Sequence, residues 1–251
     1  MAFPNESLAK FQAMVWDIYG LADDRLYSNW DLISNMERFT MWGLKGIRKG
    51  KIDEYTVTAD QKQKPENPAP KGPLGAESFS HVFSTAGLKF NLLVAAAWLF
   101  ALCSRLHIDL EEQLWQRYPY YCPYCGQLPC NCKDWKGPRA KPIPPVKNKP
   151  ETLAAMQQML EEIYPAENRT LEHAGVHWAE ELGELSEAWH LFEGTHKKKY
   201  FKQIEIETAD YFTRFLTVAN STGFNFAEEF YKLIPGKCHV CGEKVCVCNF
   251  F

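Results

Sequence analysis

Two cysteine clusters of the same form constrain this chain more than any other feature. They are Cys122-Pro-Tyr-Cys125-Gly-Gln-Leu-Pro-Cys130-Asn-Cys132 and Cys238-His-Val-Cys241-Gly-Glu-Lys-Val-Cys246-Val-Cys248, both CxxCGxxxCxC. The likeness runs upstream without a gap, so that residues 91–132 lie over 207–248. Leu110-Glu111-Glu112 falls on Phe226-Ala227-Glu228, and Leu114-Trp115 on Phe230-Tyr231. Met14-Val15-Trp16-Asp17-Ile18-Tyr19 also resembles Met159-Leu160-Glu161-Glu162-Ile163-Tyr164, and Trp42 pairs with Trp189. A period of this kind reads as an internal duplication: residues 1–132, a Lys/Pro-rich linker at 133–150, and 151–251. A polar, proline-rich stretch at 56–80 is expected to be a loop insertion in the first half.

Hydrophobic periodicity predicts an all-α chain. Helical segments are expected near 7–19, 28–46, 82–105 and 109–117, then near 151–164, 168–193, 200–221 and 225–233. Tyr164-Pro165 and Ile234-Pro235 mark helix stops, and Asn225 with Glu228 three residues on forms a capping box. Four helices per half make a small bundle, and two such bundles are expected to pack as an intramolecular pseudo-dimer. The apolar run Phe90 to Cys103 is shorter than the ~20 residues of a bilayer span, which makes it a buried helix. The N-terminus lacks the basic and apolar regions of a signal peptide, and the expected location is the cytoplasm.

Four cysteines in so short a cluster are too cramped for ordinary disulfides and well spaced for a metal. Each cluster, Cys122, Cys125, Cys130, Cys132 and Cys238, Cys241, Cys246, Cys248, is expected to hold one structural Zn2+, with an iron–sulfur centre as the competing occupant. Gly126 and Gly242 follow the CxxC step, where a tight turn is needed. Cys103 lies in the apolar run and reads as a core residue.

The segment 173–192 carries a core stripe of Leu182, Leu185, Trp189 and Phe192, flanked by Glu181 and Glu184 one turn apart. The next helix repeats the spacing with Glu207 and Asp210. If the two helices are antiparallel neighbours, the acidic pairs face each other, and four carboxylates so placed repel unless a cation sits between them. Oxygen-only ligands suit Mg2+ or Mn2+. The alternative is an ordinary solvated acidic face.

The order EELGELSEA (180–188) followed by EIETADYFTRFLTVAN (205–220) resembles the MazG-like, all-alpha nucleotide pyrophosphohydrolase family, whose signature is ExxE followed by ExxD. The resemblance spans about 170–233 and reaches the first half only through the repeat. It implies a magnesium-dependent hydrolase of nucleotide metabolism that cuts a nucleoside triphosphate (standard, deoxy or modified) into the monophosphate and pyrophosphate. Glu181, Glu184, Glu207 and Asp210 would be both catalytic and metal-binding, with Glu181 or Glu184 orienting or deprotonating a water. The family also implies dimers or tetramers, so a monomeric pseudo-dimer or a homodimer of pseudo-dimers is expected. Candidate substrate-binding residues are Asn220, His177, Lys197 and Lys199, with His173 and Lys198 beside them; Trp178 and Trp189 would stack on a base or, more simply, fill the core. Pairing Trp42 with Trp189 places Ser34, Glu37, Asn91 and Val94 where the acidic residues stand, so the first half is expected to be silent and to serve packing and one pocket wall. The contrasting account is a non-enzymatic, zinc-stabilised helical interaction or nucleic-acid-associated protein. A formal net charge of −3 gives nucleic-acid binding little support.

Overall fold

The computed structural model describes residues 5–53, 87–140 and 147–248. Among these the chain is all-helical, with eight α-helices and no strand. They are α1 (Leu8–Leu26), α2 (Asn29–Arg48), α3 (Leu88–Arg105), α4 (Leu110–Arg117), α5 (Leu153–Ile163), α6 (Leu171–Thr195), α7 (Lys198–Thr222) and α8 (Phe226–Leu233), with a short 3-10 turn at Ala166–Asn168. The expected insertion at 56–80, the first residues of the 82–105 segment and part of the linker lie outside the described residues.

Local chemistry explains the helix ends. Ser7, Ser28, Asp109, Thr152, Thr170 and Asn225 each accept a hydrogen bond from the backbone N–H three residues on, satisfying one of the orphan donors of the first turn. Ser28 and Asp31 close a full capping box. At Asn225 the Glu228 N–H bond forms at 3.2 Å, without the expected reciprocal bond. Pro165 stops α5 at Ile163 as expected. Its counterpart α1 runs on to Leu26, because no proline follows Tyr19 and Gly20 stays helical, packed so closely on the Trp16 ring that a Cβ would meet it at 2.7 Å.

The contacts recur in pairs. Helix α2 packs on α3 as α6 does on α7, α1 on α3 as α5 on α7, and α1 on α4 as α5 on α8. Across the molecule α2 meets α6, α3 meets α7, α4 lies on α7 and α8 on α3. One hydrophobic core draws on all eight helices, with Phe11–Phe230, Phe100–Phe230 and Phe100–Phe212 ring pairs 5.8, 5.3 and 5.4 Å apart at its centre. Hydrogen bonds recur as well. Gln12 binds the Ile108 carbonyl and the Leu110 N–H (2.9 and 3.3 Å), while Gln157 binds the Phe224 carbonyl and the Phe226 N–H (2.9 and 2.8 Å).

Helix α3 is long and apolar enough to cross a membrane by length and composition, but 72% of that span is buried inside the protein. It is wrapped by α1, α2, α7 and α8, which removes the polar face a surface helix needs. Cys103 lies wholly buried on it, as a core residue should.

Candidate metal centres

Each cysteine cluster folds back on itself so that its four Sγ atoms lie within 4.8 Å of one another. The Cys122–Cys132, Cys125–Cys130 and Cys238–Cys248 sulfur pairs are 3.4, 4.0 and 3.7 Å apart. A tetrahedron with metal–sulfur bonds of ~2.3 Å has edges of about 3.8 Å, so both groups have the dimensions to hold a metal ion. Gly126 and Gly242 adopt φ of +68° and +77°, the left-handed turn that their positions were expected to require. Their N–H groups donate to the carbonyls of Cys122 and Cys238. Backbone N–H groups of Asn131 and Val240 point at Cys125 and Cys238 sulfurs, each at 3.4 Å.

The clusters dock across the molecule. The Cys130 N–H donates to the Ile163 carbonyl at the end of α5 (2.8 Å), and the Cys246 N–H donates to the Ile18 carbonyl of α1 (2.7 Å). Tyr164 donates to Cys122 Sγ at 3.5 Å, while Tyr19 meets Nδ1 of His239 at 3.0 Å.

The third group lies between the antiparallel helices α6 and α7. Glu181, Glu184 and Glu207 bring carboxylate oxygens within 4.8 Å of one another. Glu181 and Glu207 are buried, Glu184 exposed. Oε2 of Glu181 and Oε2 of Glu207 are buried without a hydrogen-bond partner, a costly state for an anion that a cation would relieve. Burial, reinforced by Asp210 and the other two carboxylates, pushes Glu207 up to about 7, while the Gln203 amide opposes this. Burial likewise raises Glu181, and Arg214 works against it.

Asp210 stands apart from that trio. Arg117 holds it in a fork with two 2.9 Å hydrogen bonds, and the Tyr118 hydroxyl donates to it at 2.6 Å. These residues come from α4 and the segment after it, in the first half of the chain. Tyr124 adds its ring beneath Arg117 (5.4 Å) and Arg139 (4.7 Å). Arg214, one turn beyond Asp210 on α7, donates through Nε (3.0 Å) and Nη2 to Glu181 Oε1. Two guanidinium groups, Arg117 and Arg214, thus hydrogen-bond two of the four carboxylates, Asp210 and Glu181.

None of Arg117, Tyr118, Tyr124 and Arg214 was identified from the sequence. Arg214 carried a signal, standing seven residues after Glu207 and four after Asp210 on the same helical face. Arg117 carried none, since nothing local ties the end of α4 to a residue 93 positions away.

The other candidates are placed as follows. Asn220 is taken up by Gln157, whose amide it meets at 2.8 Å while donating to the Gln157 carbonyl at 3.2 Å; it ties α7 to α5, ten residues or ~15 Å along the axis from Asp210. His177 sits one turn before Glu181, paired with Glu180 (2.6 Å) and His173 (3.0 Å), and burial and Arg214 lower its pKa. Lys197 and Lys199 are exposed at the α6–α7 turn, where Lys199 lies over the Tyr200 ring at 4.5 Å. Trp178 and Trp189 are core residues.

The helices also set a register different from the Trp42–Trp189 pairing. The N-caps Ser28 and Thr170 correspond, and from them the buried positions of α2 (Leu32, Ile33, Met36, Phe39, Thr40, Gly43) match those of α6 (Ala174, Gly175, Trp178, Glu181, Leu182, Leu185) in order and spacing. Phe39 and Trp42, not Ser34 and Glu37, therefore stand where Glu181 and Glu184 stand. Ser34 and Glu37 are exposed, whereas Phe39 is buried in the phase that the buried Glu181 occupies on α6.

No protein-family profile, curated protein or solved structure matches this chain.

Proposed function

We propose that the α6–α7 site binds a divalent cation, Mg2+ or Mn2+, and hydrolyses a nucleoside triphosphate to the monophosphate and pyrophosphate in a MazG-like tandem bundle. The observation that carries this reading is the convergence of Glu181, Glu184 and Glu207 within 4.8 Å, with two buried carboxylate oxygens unpartnered. Glu181, Glu184 and Glu207 hold the cation, and Asp210 joins them when Arg117 turns to a substrate phosphate. Bound there, the cation polarises a phosphoryl oxygen and lowers the pKa of a water. Glu181, whose Oε1 is held by Arg214 while its Oε2 is free, and the exposed Glu184 are the two carboxylates placed to orient that water. Arg117, Arg139 and Tyr124 form the wall that receives phosphate and base. The two four-cysteine clusters hold structural Zn2+, one ion each.

The test is pyrophosphate release from a panel of ribo-, deoxy- and modified nucleoside triphosphates with Mg2+. Turnover lost in Glu207→Gln and Asp210→Asn variants that remain folded supports the reading; absence of turnover across the panel sinks it. A second reading, a helical interaction protein that keeps a relic of the acidic site, draws on the capture of Asp210 by Arg117 and Tyr118. It predicts cation binding without turnover in the same assay.

A further inference from the structure

A cavity of about 240 Å³ lies at the place that corresponds to the acidic site, walled by first-half residues and by Ile234, His239, Val240 and three cysteines of the second cluster, Cys238, Cys246 and Cys248. The cluster repeat and the cap register map the two sites onto each other. Val94 stands for Asp210, Trp98 for Arg214, Ile234 for Tyr118, Leu233 for Arg117 and Phe39 for Glu181. The charged set has become an apolar one, and Val94, Trp98, Ile234 and Phe39 all line the cavity. The extra turns of α1 that have no counterpart in α5 close it on one side and bring in Asp23.

Asp23 is the anomaly. It is 4% exposed, its carboxyl has no hydrogen-bond or ion-pair partner among the described residues, and it lines a cavity whose other walls are mostly apolar. Arg105, the cation whose field reaches it, is paired through Nε with Asp24 at 3.1 Å and through Nη1 with the Tyr27 carbonyl at 2.8 Å, while its Nη2 is buried without a hydrogen-bond partner. An unpartnered buried carboxyl calls for a donor or a cation, and the Tyr27, Phe39 and Trp98 rings around the same space favour a cation as well. Burial pushes the Asp23 carboxyl up to about 7, so pairing with a cation would restore its charge.

We propose that this cavity is a binding site for a small aromatic amine, its ring among Phe39, Val94, Trp98 and Ile234 and its ammonium group on Asp23. A cavity of about 150 Å³ holds a benzene, so this one takes a ring with a short side chain, on the order of ten heavy atoms. A nucleoside triphosphate is too large for it and would bring its phosphates to an acid. The site is therefore independent of the acidic one, and the proposal stands whether or not that one is catalytic.

Calorimetric titration of the full chain, purified without chelator, tests it with 2-phenylethylamine as the probe and 3-phenylpropionate as the matched anion. The expected result is saturable 1:1 binding of the amine at least tenfold tighter than of the acid. Asp23→Asn should remove that preference, and Val94→Phe should fill the cavity and abolish binding. Glu207→Gln should leave amine binding unchanged, which separates this site from the acidic one. No saturable binding up to about 10 mM amine, equal binding of acid and amine, an amine preference that persists in Asp23→Asn, or binding that disappears in folded Glu207→Gln would overturn the proposal. If Val94→Phe fails to fold, Asp23→Asn still decides.

Discussion

Arg214 does for Glu181 what a bound cation would do for the remaining carboxylates. Its guanidinium is buried, which works against its charge, and Tyr118, Glu181 and Tyr164 together outweigh that cost. Removing one member of a buried pair costs about 3–5 kcal/mol. Arg214→Met should therefore lower stability by about that amount in urea denaturation, and adding Glu181→Gln should recover most of it; no recovery would mean that Arg214 acts through packing alone. Glu207 sets the pH response. Its proton is held up to about pH 7 in the fold against an ordinary value of 4.5. Between these values the native state binds more protons than the unfolded one, so without a cation its contribution makes stability fall as pH rises from about 4.5 to 7. Asp23, raised from 3.8 to about 7, adds in the same direction. A cation reverses the slope, because it must displace the Glu207 proton. Mn2+ affinity, read from the free-ion EPR signal, should drop roughly tenfold per pH unit below 7, and a flat profile would remove Glu207 from the ligand set. At this scale the three glutamates were legible because one-turn spacing on neighbouring helices is a local pattern. The diversion of Asp210 was not, because Arg117 and Tyr118 reach it from the other half of the chain.

Helix by helix, much could be anticipated. Long amphipathic stretches with polar caps place their own ends to within a few residues, and Pro165 stops α5 where expected. The misses have specific causes. Gly20 lacks a proline beside it, so α1 continued for almost two turns more and built the Asp23 wall. The shared Trp42 and Trp189 suggested a register that ignored helical phase, whereas the caps Ser28 and Thr170 carry the correct one. The matched caps Asp109 and Asn225, accepting Glu112 and Glu228 N–H groups at 3.0 and 3.2 Å, invite a paired test. Asp109→Ala and Asn225→Ala should each cost about 1 kcal/mol in chemical denaturation, and a much larger loss at one would show that the corresponding helices do not carry equal weight. Gln157→Ala reaches further. It leaves the buried Phe226 N–H, the Phe224 carbonyl and Oδ1 of Asn220 without their partner, at about 1–3 kcal/mol for each group left unsatisfied.

For the molecule as a whole, the consequence of the crossed docking is cooperativity. Each cysteine cluster is pinned to a helix of the other half, and the core is continuous across both. If zinc fills the clusters, chelation should loosen both ends of the bundle together, lowering the melting temperature in one transition with about two zinc ions released per chain. Two separate transitions, or a chain that melts unchanged after the metal is removed, would count against it.

The bond between the Cys246 N–H and the Ile18 carbonyl also has a temporal meaning. On a ribosome adding 5–20 residues per second, the end of α1 waits roughly 10–45 s for the segment that clasps it. The end of α5, by contrast, finds its clasp already made, since Cys130 precedes Ile163 in the chain. During that interval the Ile18 carbonyl lacks its partner, and until α7 and α8 are made the apolar α3 lacks their cover. It is the stage at which a chaperone or a free zinc donor would have the most influence on yield.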